Sequence, residues 1–211
     1  MAVSLFTYTR PILYRGLAAP NILQRVRIPP SLLKDATLFH RYVIVDGDRP
    51  ETIADHYYGS PFFDWVVCLS NNMVSVYEEW PLTQDNLNRV IKKKYGSVEQ
   101  ALETISHYKI DTTIPSINAA AFDALPARMK QYWSKVSQTS PQVYSITPNP
   151  ITITPSSYAA LAEEEKAYWV SVSIYDKLFE ENEQKRSIKL IDARAVPELE
   201  RSLKQLINDQ L

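Results

Sequence analysis

Few side chains in this sequence could act as nucleophiles, general bases or metal ligands. A catalytic centre needs a nucleophile beside a base, a cluster of metal ligands or a pair of carboxyl groups with shifted pKa values. The chain contains three histidines, His40, His56 and His107, and one cysteine, Cys68. No two histidines are spaced as ligands on one helix face, whereas a zinc site needs three or four such groups. Cys68 lies inside an apolar run, which favours a small buried residue over a catalytic thiol.

Carboxylates and glycines offer no better site. The acidic runs Glu78–Glu79 and Glu163–Glu165 place neighbouring side chains on different sides of a helix, which is typical of a solvated face. The four glycines, at positions 16, 47, 59 and 96, are too far apart to form a phosphate-binding loop. The sequence therefore predicts that the protein is not an enzyme, with no catalytic residue, no metal, no cofactor and no small-molecule substrate.

Composition favours a protein partner. Lys and Arg number 23 against 24 for Asp and Glu, so there is no basic excess for nucleic acid or anionic membrane. No run approaches the ~20 apolar residues that span a bilayer, and the first residues lack a secretory-signal pattern. The single cysteine fits assembly in a reducing cytoplasm. Aromatic residues make up 11% of the chain, and aromatic side chains are enriched in protein interfaces.

A strand and a first short helix are predicted near residue 50. The run Arg41–Val45 is β-branched and aromatic, which is typical of a strand. Asp48 is placed as a helix N-cap, and Glu51 three residues later would complete a capping box. Gly59 is the residue type expected just after the last turn, because the left-handed backbone there favours glycine.

A second helix follows at once. Ser60 is its predicted cap and Pro61 its first residue, with Asn71 and Asn72 at its end. A strand followed by two short helices is half of a β-α-α-β unit, and this segment resembles the LysM fold. The residues that carry the resemblance are Asp48, Ile53, Ala54, Tyr58, Gly59, Trp65 and Asn71. The closing strand does not follow directly, and Thr104–Ile110 is its best candidate.

An internal repeat occupies the middle of the chain. The stretch that begins at Phe122 matches the stretch that begins at Tyr158, 36 positions later. The matched pairs are Leu125 with Leu161, Lys130 with Lys166, Tyr132 with Tyr168, Trp133 with Trp169, Val136 with Val172 and Ser137 with Ser173. Each copy follows a β-prone run, so we predict a strand and then a helix with an aromatic pair near its end. We expect residues 111–173 to be a duplicated insert that contacts neighbouring chains, with an inert spacer as the alternative.

The two ends of the chain differ in character. Residues 1–40 carry prolines that disfavour a long helix, yet apolar residues continue throughout. We expect an extended proline-rich arm that lies on a partner or on the protein's own body. The sequence pattern of residues 174–211 predicts a helix, a strand and an amphipathic helix, which we interpret as a docking segment. With a LysM-like domain at residues 41–110, the predicted class is α+β.

Several short motifs, taken in order, resemble the gene-53-type baseplate wedge proteins of contractile-tailed bacteriophages. They are the LysM-like segment, Trp80–Pro81, Lys93–Ser97 and Glu181–Asp192. The resemblance covers residues 41–110 and 174–211, and it implies a virion protein of the tail baseplate, made and assembled in the host bacterial cytoplasm. Such proteins bridge neighbouring wedges into the six-fold ring around the tail tube, through contacts with other wedge proteins and neighbouring copies.

The LysM-like segment carries more aromatic side chains than a small domain can fully bury, so we expect some of them to contact another subunit. The candidates are Tyr57, Tyr58, Phe62, Phe63, Trp65 and Trp80. The alternative is a peptidoglycan-binding LysM module of a cell-wall-acting protein, which would bind N-acetylglucosamine oligomers in a shallow groove. An enzyme with an accessory LysM module would need catalytic residues in the duplicated insert, which contains no histidine or cysteine.

Overall fold

The computed structural model describes Thr9 and residues 11–21, 27–28, 36–113, 116–136, 142–146 and 151–209. Its strands are β1 Pro11–Tyr14, β2 Leu17–Pro20, β3 Phe39–Val43, β4 Ile105–Ile110, β5 Ile117–Asn118, β6 Trp133–Lys135, β7 Val143–Ile146, β8 Thr152–Ile153, β9 Trp169–Ser173 and β10 Ser187–Ile191. Its α-helices are α1 Pro50–Tyr58, α2 Asp64–Ser70, α3 Val76–Glu79, α4 Gln84–Tyr95, α5 Val98–Glu103, α6 Ala119–Ala124, α7 Ala127–Lys130, α8 Pro155–Ala159, α9 Glu163–Lys166, α10 Ile174–Gln184 and α11 Val196–Asp209. This mixture confirms the predicted α+β class. More than half of the predicted arm at residues 1–40 lies outside the described residues.

The chain divides into two compact units. The first combines the residues up to Gln84 with those from Glu181 onward, and the second spans Asp85–Glu180. The segment boundaries predicted near residues 40, 110 and 173 stay a prediction.

The core of the first unit contains an antiparallel strand pair. β3 pairs with β10, with Val43 opposite Ser187. Because α1 and α2 follow β3, the unit has a β-α-α-β core that is closed by a strand near the end of the chain. The prediction that Thr104–Ile110 supplies the closing strand is wrong, because β4 pairs with β8 and β9 instead. β10 fits the closing position because Ile188 and Leu190, two residues apart on one face, are both buried against the helices.

The start of α1 differs from the predicted capping box. The N-cap is Arg49, whose backbone N–H donates to Thr52 Oγ1 at 2.8 Å. Asp48 and Glu51 do not form the predicted pair. The Asp48 carboxylate instead accepts from the backbone N–H of Val45 at 2.9 Å, so it closes the turn before the helix.

The boundary between the two helices follows the local signals. Gly59 has a φ of 74°, as predicted for the residue after a helix end. Ser60 Oγ accepts from the Phe62 backbone N–H at 3.4 Å, which confirms the predicted cap. A 3₁₀ turn at Pro61–Phe63 comes first, and α2 begins at Asp64.

Helix α2 contributes to two hydrophobic clusters among the described residues of the first unit. Trp65 and Val66 pack with side chains of β10 and α11, while Val67 packs with those of β3, α1 and β10. Leu199 and Leu203 on α11 are fully buried in the first of these clusters. The apolar face of the terminal helix is therefore used inside the unit, because burying it removes apolar surface from water.

The second unit contains two three-stranded sheets with corresponding order, β8-β4-β9 and β5-β7-β6. The strand registers are related by the same shift of 36 residues that relates the repeat. The paired residues are Ile153 with Tyr108 and Trp169 with Ile110 in one sheet, and Ile117 with Tyr144 and Trp133 with Ile146 in the other. The duplication therefore includes β4 and β7, and the repeat begins before Phe122.

The first strand of each copy lies in the sheet formed by the other copy. β4 is the middle strand between β8 and β9, and β7 is the middle strand between β5 and β6. The predicted single helix with a terminal aromatic pair is wrong, because each copy has two short helices and its tryptophan begins a strand. Extended backbone at Pro126 and at Ala162 separates the two helices of each copy. In the first copy the proline disfavours helical backbone at the residue before it.

Candidate functional site

Four of the six predicted contact residues form a continuous series of aromatic contacts. The ring centroids of Tyr57 and Tyr58 are 4.9 Å apart at an interplanar angle of 90°. Phe63 lies 6.0 Å from Tyr58 and 6.4 Å from Trp65. Edge-on pairs of this kind contribute about 0.5–1.5 kcal/mol each beyond the area they bury. The series therefore helps to hold α1 against the turn that leads into α2.

Three of the six candidates are bound into the protein's own interior. Trp65 is only 6% exposed. The Tyr58 hydroxyl donates to the backbone oxygen of Ile191 at 3.0 Å, and burial raises its pKa well above the usual value of 10. Trp80 Nε1 donates to the backbone oxygen of Asp48 at 3.0 Å. The polar atoms of Tyr58 and Trp80 and the ring of Trp65 thus contribute to this fold directly.

Phe62 is the candidate with the most open side chain, at 58% exposed. Tyr57 and Phe63 are half-buried. Sequence reasoning missed Tyr77, which is 96% exposed, and Val74, which is 66% exposed. In the sequence, both residues belong to the run that follows α2, where apolar residues recur without the spacing of a helix or a strand. That run could have identified them as exposed. An apolar side chain that the fold leaves in water is available to a partner.

The turn that carries Tyr77 is held at both ends. Glu79 Oε1 accepts from the backbone N–H groups of Ser75 at 3.0 Å and Val74 at 2.9 Å, and these hydrogen bonds lower the pKa of the Glu79 carboxyl. Lys185 Nζ donates to the backbone oxygen of Glu78 at 2.7 Å. The Tyr77 ring is therefore presented by an ordered segment, which reduces the conformational entropy lost on binding.

The outer face of the β3–β10 pair is positively charged. Arg41 and Lys189 lie directly opposite each other, and both are exposed. Like charges at such positions repel. Within the described ranges, neither side chain forms an ion pair with a carboxylate. Val43, 65% exposed, and Val45, 64% exposed, lie along the same strand and just beyond it. A partner with an acidic and apolar surface would complement this face.

The side chains first considered for chemistry do not come together. His40 Nε2 lies 3.4 Å from Asp192 Oδ2, and His107 Nδ1 lies 3.3 Å from Ser106 Oγ. Burial, with a smaller contribution from nearby carboxylates, raises the pKa of the Cys68 thiol to about 11. A thiol with that pKa is protonated at neutral pH and is a poor nucleophile. In the part of the chain that the structure describes, no group of three or more histidine, cysteine, aspartate or glutamate side chains could hold a metal ion.

A small cavity lies between the two copies of the repeat. Its volume is about 230 Å³, and its walls include Met129, Tyr132, Leu161 and Trp169. Pockets that hold drug-sized ligands usually measure about 300–1,000 Å³.

None of the described helices is both long enough and apolar enough to span a bilayer.

Comparison with known families identifies residues 31–120 as similar to the phage family described as base plate wedge protein 53. This match confirms the resemblance to gene-53-type baseplate wedge proteins and supports a structural role in the phage tail baseplate. The matched range contains β3, α1 and α2 together with the exposed Phe62 and Tyr77, but it ends before β10. No curated protein matches the chain.

Proposed function

We propose, from the match to the baseplate wedge family, that the protein joins inner wedge proteins into the six-fold ring around a contractile phage tail tube. The match over residues 31–120 is the observation that carries this proposal. The role requires lasting contacts with other wedge proteins and with neighbouring copies. It requires no bound cofactor, nucleic acid, membrane or small-molecule substrate. Assembly takes place in the host bacterial cytoplasm, before the particle is released.

The core of the first unit supports a LysM-like fold. The order of β3, α1, α2 and β10 is β-α-α-β, and the two strands are antiparallel. In this proposal the LysM-like core acts as a rigid platform for protein contacts. The Asn71 side chain, part of the LysM-like pattern, is bonded to the backbone of Lys189 in β10 and is therefore occupied within the fold.

The contact surface proposed for wedge proteins centres on the exposed rings of the first unit. Phe62, predicted from the sequence, and Tyr77, added by the structure, expose most of their side chains. Tyr57 and Phe63 contribute their half-buried rings, which contact Tyr58 and Trp65, and Trp80 is bonded to Asp48 within the same unit. Large aromatic side chains at the centre of an interface can each contribute about 2 kcal/mol or more to binding.

The experiment is co-expression of the full chain with candidate wedge proteins from the same genome, followed by size-exclusion chromatography with light scattering. Phe62→Ser and Tyr77→Ser are each expected to weaken the complex about tenfold or more. Both residues are exposed, so the free energy of unfolding of the isolated protein should stay within about 0.5 kcal/mol of wild type.

Leu102→Ser is the matched control, because it removes an apolar side chain that is 48% exposed in the second unit. A wild-type chain that binds none of the wedge proteins contradicts the proposal. A parallel pull-down with insoluble peptidoglycan tests the alternative function, and tight retention there would favour a cell-wall-binding module.

A further inference from the structure

β1 and β2 form a hairpin with a two-residue turn. Pro11 lies opposite Pro20, and Tyr14 lies opposite Leu17. The turn residues Arg15 and Gly16 have φ values of 51° and 79°. Positive φ at both central residues is the conformation whose twist matches that of the two strands. The hairpin is therefore locally well formed.

Both faces of this hairpin are apolar. The register places Ile12, Tyr14, Leu17 and Ala19 on one face, and Pro11, Leu13, Ala18 and Pro20 on the other. An antiparallel sheet with one face in water shows polar residues on that face. Here the Tyr14 hydroxyl is the only polar side-chain group on the two strands. Neither face is suited to solvent.

Among the described residues, most side chains on both faces of the hairpin are exposed, and only Ala19 is partly buried. Leu13 is 84% exposed and Leu17 is 74% exposed, and these two side chains point to opposite sides. Tyr14 is 59% exposed and Ile12 is 40% exposed. A two-stranded hairpin that packs against nothing is marginally stable in water. Its stability must come from a surface that covers both sides.

The residues at the tip and at the base of the hairpin restrict the chemistry of the partner surface that covers it. Arg15 lies at the tip, 5.3 Å from the centre of the Tyr14 ring, and pairs with no carboxylate in the described ranges. A complementary partner therefore carries an acidic group where the tip ends. At the base, Pro11 and Pro20 lack N–H donors, so added strands cannot pair there. Strand addition is therefore disfavoured at the base, and we expect side-chain burial to supply most of the binding energy.

We infer that this hairpin inserts into an apolar cleft with an acidic group at its closed end, on a different protein of the baseplate. This inference rests on the proposed function. A flat surface would leave one apolar face in water. A stable interface usually buries about 800 Å² on each partner, which is more than ten small and medium-sized residues provide, so the hairpin is one element of a larger contact.

The described cavity of the second unit does not fit the hairpin of a second copy. The cavity of about 230 Å³ in the second unit is too small to receive the Ile12, Leu13, Tyr14 and Leu17 side chains. We therefore place the cleft on a different chain, and self-association of the isolated chain would contradict this.

The test changes the two faces separately in the full chain, using Leu13→Asp and Leu17→Asp. Binding to the co-expressed wedge proteins is measured as above. Each variant is expected to bind at least about tenfold more weakly, while the free energy of unfolding stays unchanged because both side chains are exposed. Arg15→Glu should also weaken binding, and Arg15→Lys should restore most of it. Val170→Asp, at a site 43% exposed in the second unit, is the control for an added charge.

Four results would overturn the inference. Loss of binding in only one of the two leucine variants would indicate a flat surface. Self-association of the isolated chain that Leu13→Asp abolishes would indicate a second copy, and flotation with vesicles of phosphatidylglycerol and phosphatidylethanolamine would indicate a membrane. If both leucine variants bind normally while Phe62→Ser does not, the hairpin inference fails and the proposed function stands.

Discussion

The Asn71 side chain and the Lys189 backbone form a reciprocal pair of hydrogen bonds. Asn71 Nδ2 donates to the Lys189 backbone oxygen at 2.8 Å, and the Lys189 N–H donates to Asn71 Oδ1 at 2.7 Å. The same Nδ2 donates to the Val67 backbone oxygen at 2.8 Å. One side chain thus ties the end of α2 to the outer edge of β10 and satisfies backbone groups that the strand leaves open.

Asn71→Asp should destabilise the first unit, because it keeps the acceptor and replaces the donor with a carboxylate oxygen facing two carbonyl oxygens. The expected loss is about 1–3 kcal/mol at pH 7, measured by urea unfolding. The loss should shrink as the pH falls towards 4, because a protonated carboxyl can donate again. Asn72→Asp, one residue along and exposed, is the control. Equal effects from the two variants would contradict this role for Asn71.

Asn182 forms an equivalent pair with Leu82. Its Oδ1 accepts from the Leu82 N–H at 2.7 Å, its Nδ2 donates to the Leu82 oxygen at 2.9 Å, and the residue is 5% exposed. Asn182→Ala should lower the free energy of unfolding by about 2–3 kcal/mol, because the N–H and the oxygen of Leu82 both lose their hydrogen-bond partner at a buried site. Hydrogen exchange should show the Leu82 amide losing protection. Gln184→Ala, at an exposed position two residues later, should leave that amide protected.

Tyr58→Phe tests the alkaline limit of stability. Near pH 8 the lost hydrogen bond to Ile191 should cost about 1 kcal/mol. Burial raises the folded-state pKa of Tyr58 well above 10, so the unfolded chain ionises first and the wild type loses stability as the pH rises beyond 10. The difference in free energy of unfolding between the variant and the wild type should therefore become smaller between pH 9 and 11. Tyr77→Phe, at a residue 96% exposed, should show no such change. A gap that is constant with pH would contradict the assignment.

The two equivalent tryptophans of the repeat should tolerate loss of the indole nitrogen. Nε1 of Trp133 and of Trp169 is buried without a hydrogen-bond partner in the described structure. Phenylalanine at either site should lower the free energy of unfolding by less than about 1.5 kcal/mol, whereas alanine should lower it by about 3–5 kcal/mol. Urea unfolding compares these variants with Trp80→Phe, which also loses the hydrogen bond to Asp48. A large and unequal cost of the two phenylalanine variants would show that the copies differ in their packing.

Local features of the first unit could be read directly from the sequence. Gly59 ends α1 and Ser60 caps the following turn, because their backbone conformations depend on the residue type itself. The repeat offset of 36 residues could also be read from the sequence, because finding identical residues at a constant spacing requires no tertiary information. The family resemblance also came from short motifs in order, and the match over residues 31–120 confirms it.

Strand pairing and the burial of aromatic rings were decided by the tertiary structure. β4 and β10 are both short β-prone runs, and which of them closes the β-α-α-β core depends on contacts across more than a hundred residues. Phe62 and Trp65 have similar rings three positions apart, yet one is 58% exposed and the other 6%. Sequence determined that aromatic side chains are concentrated here. Only the packing of α2 against β10 and α11 decided which of them remain available to a partner.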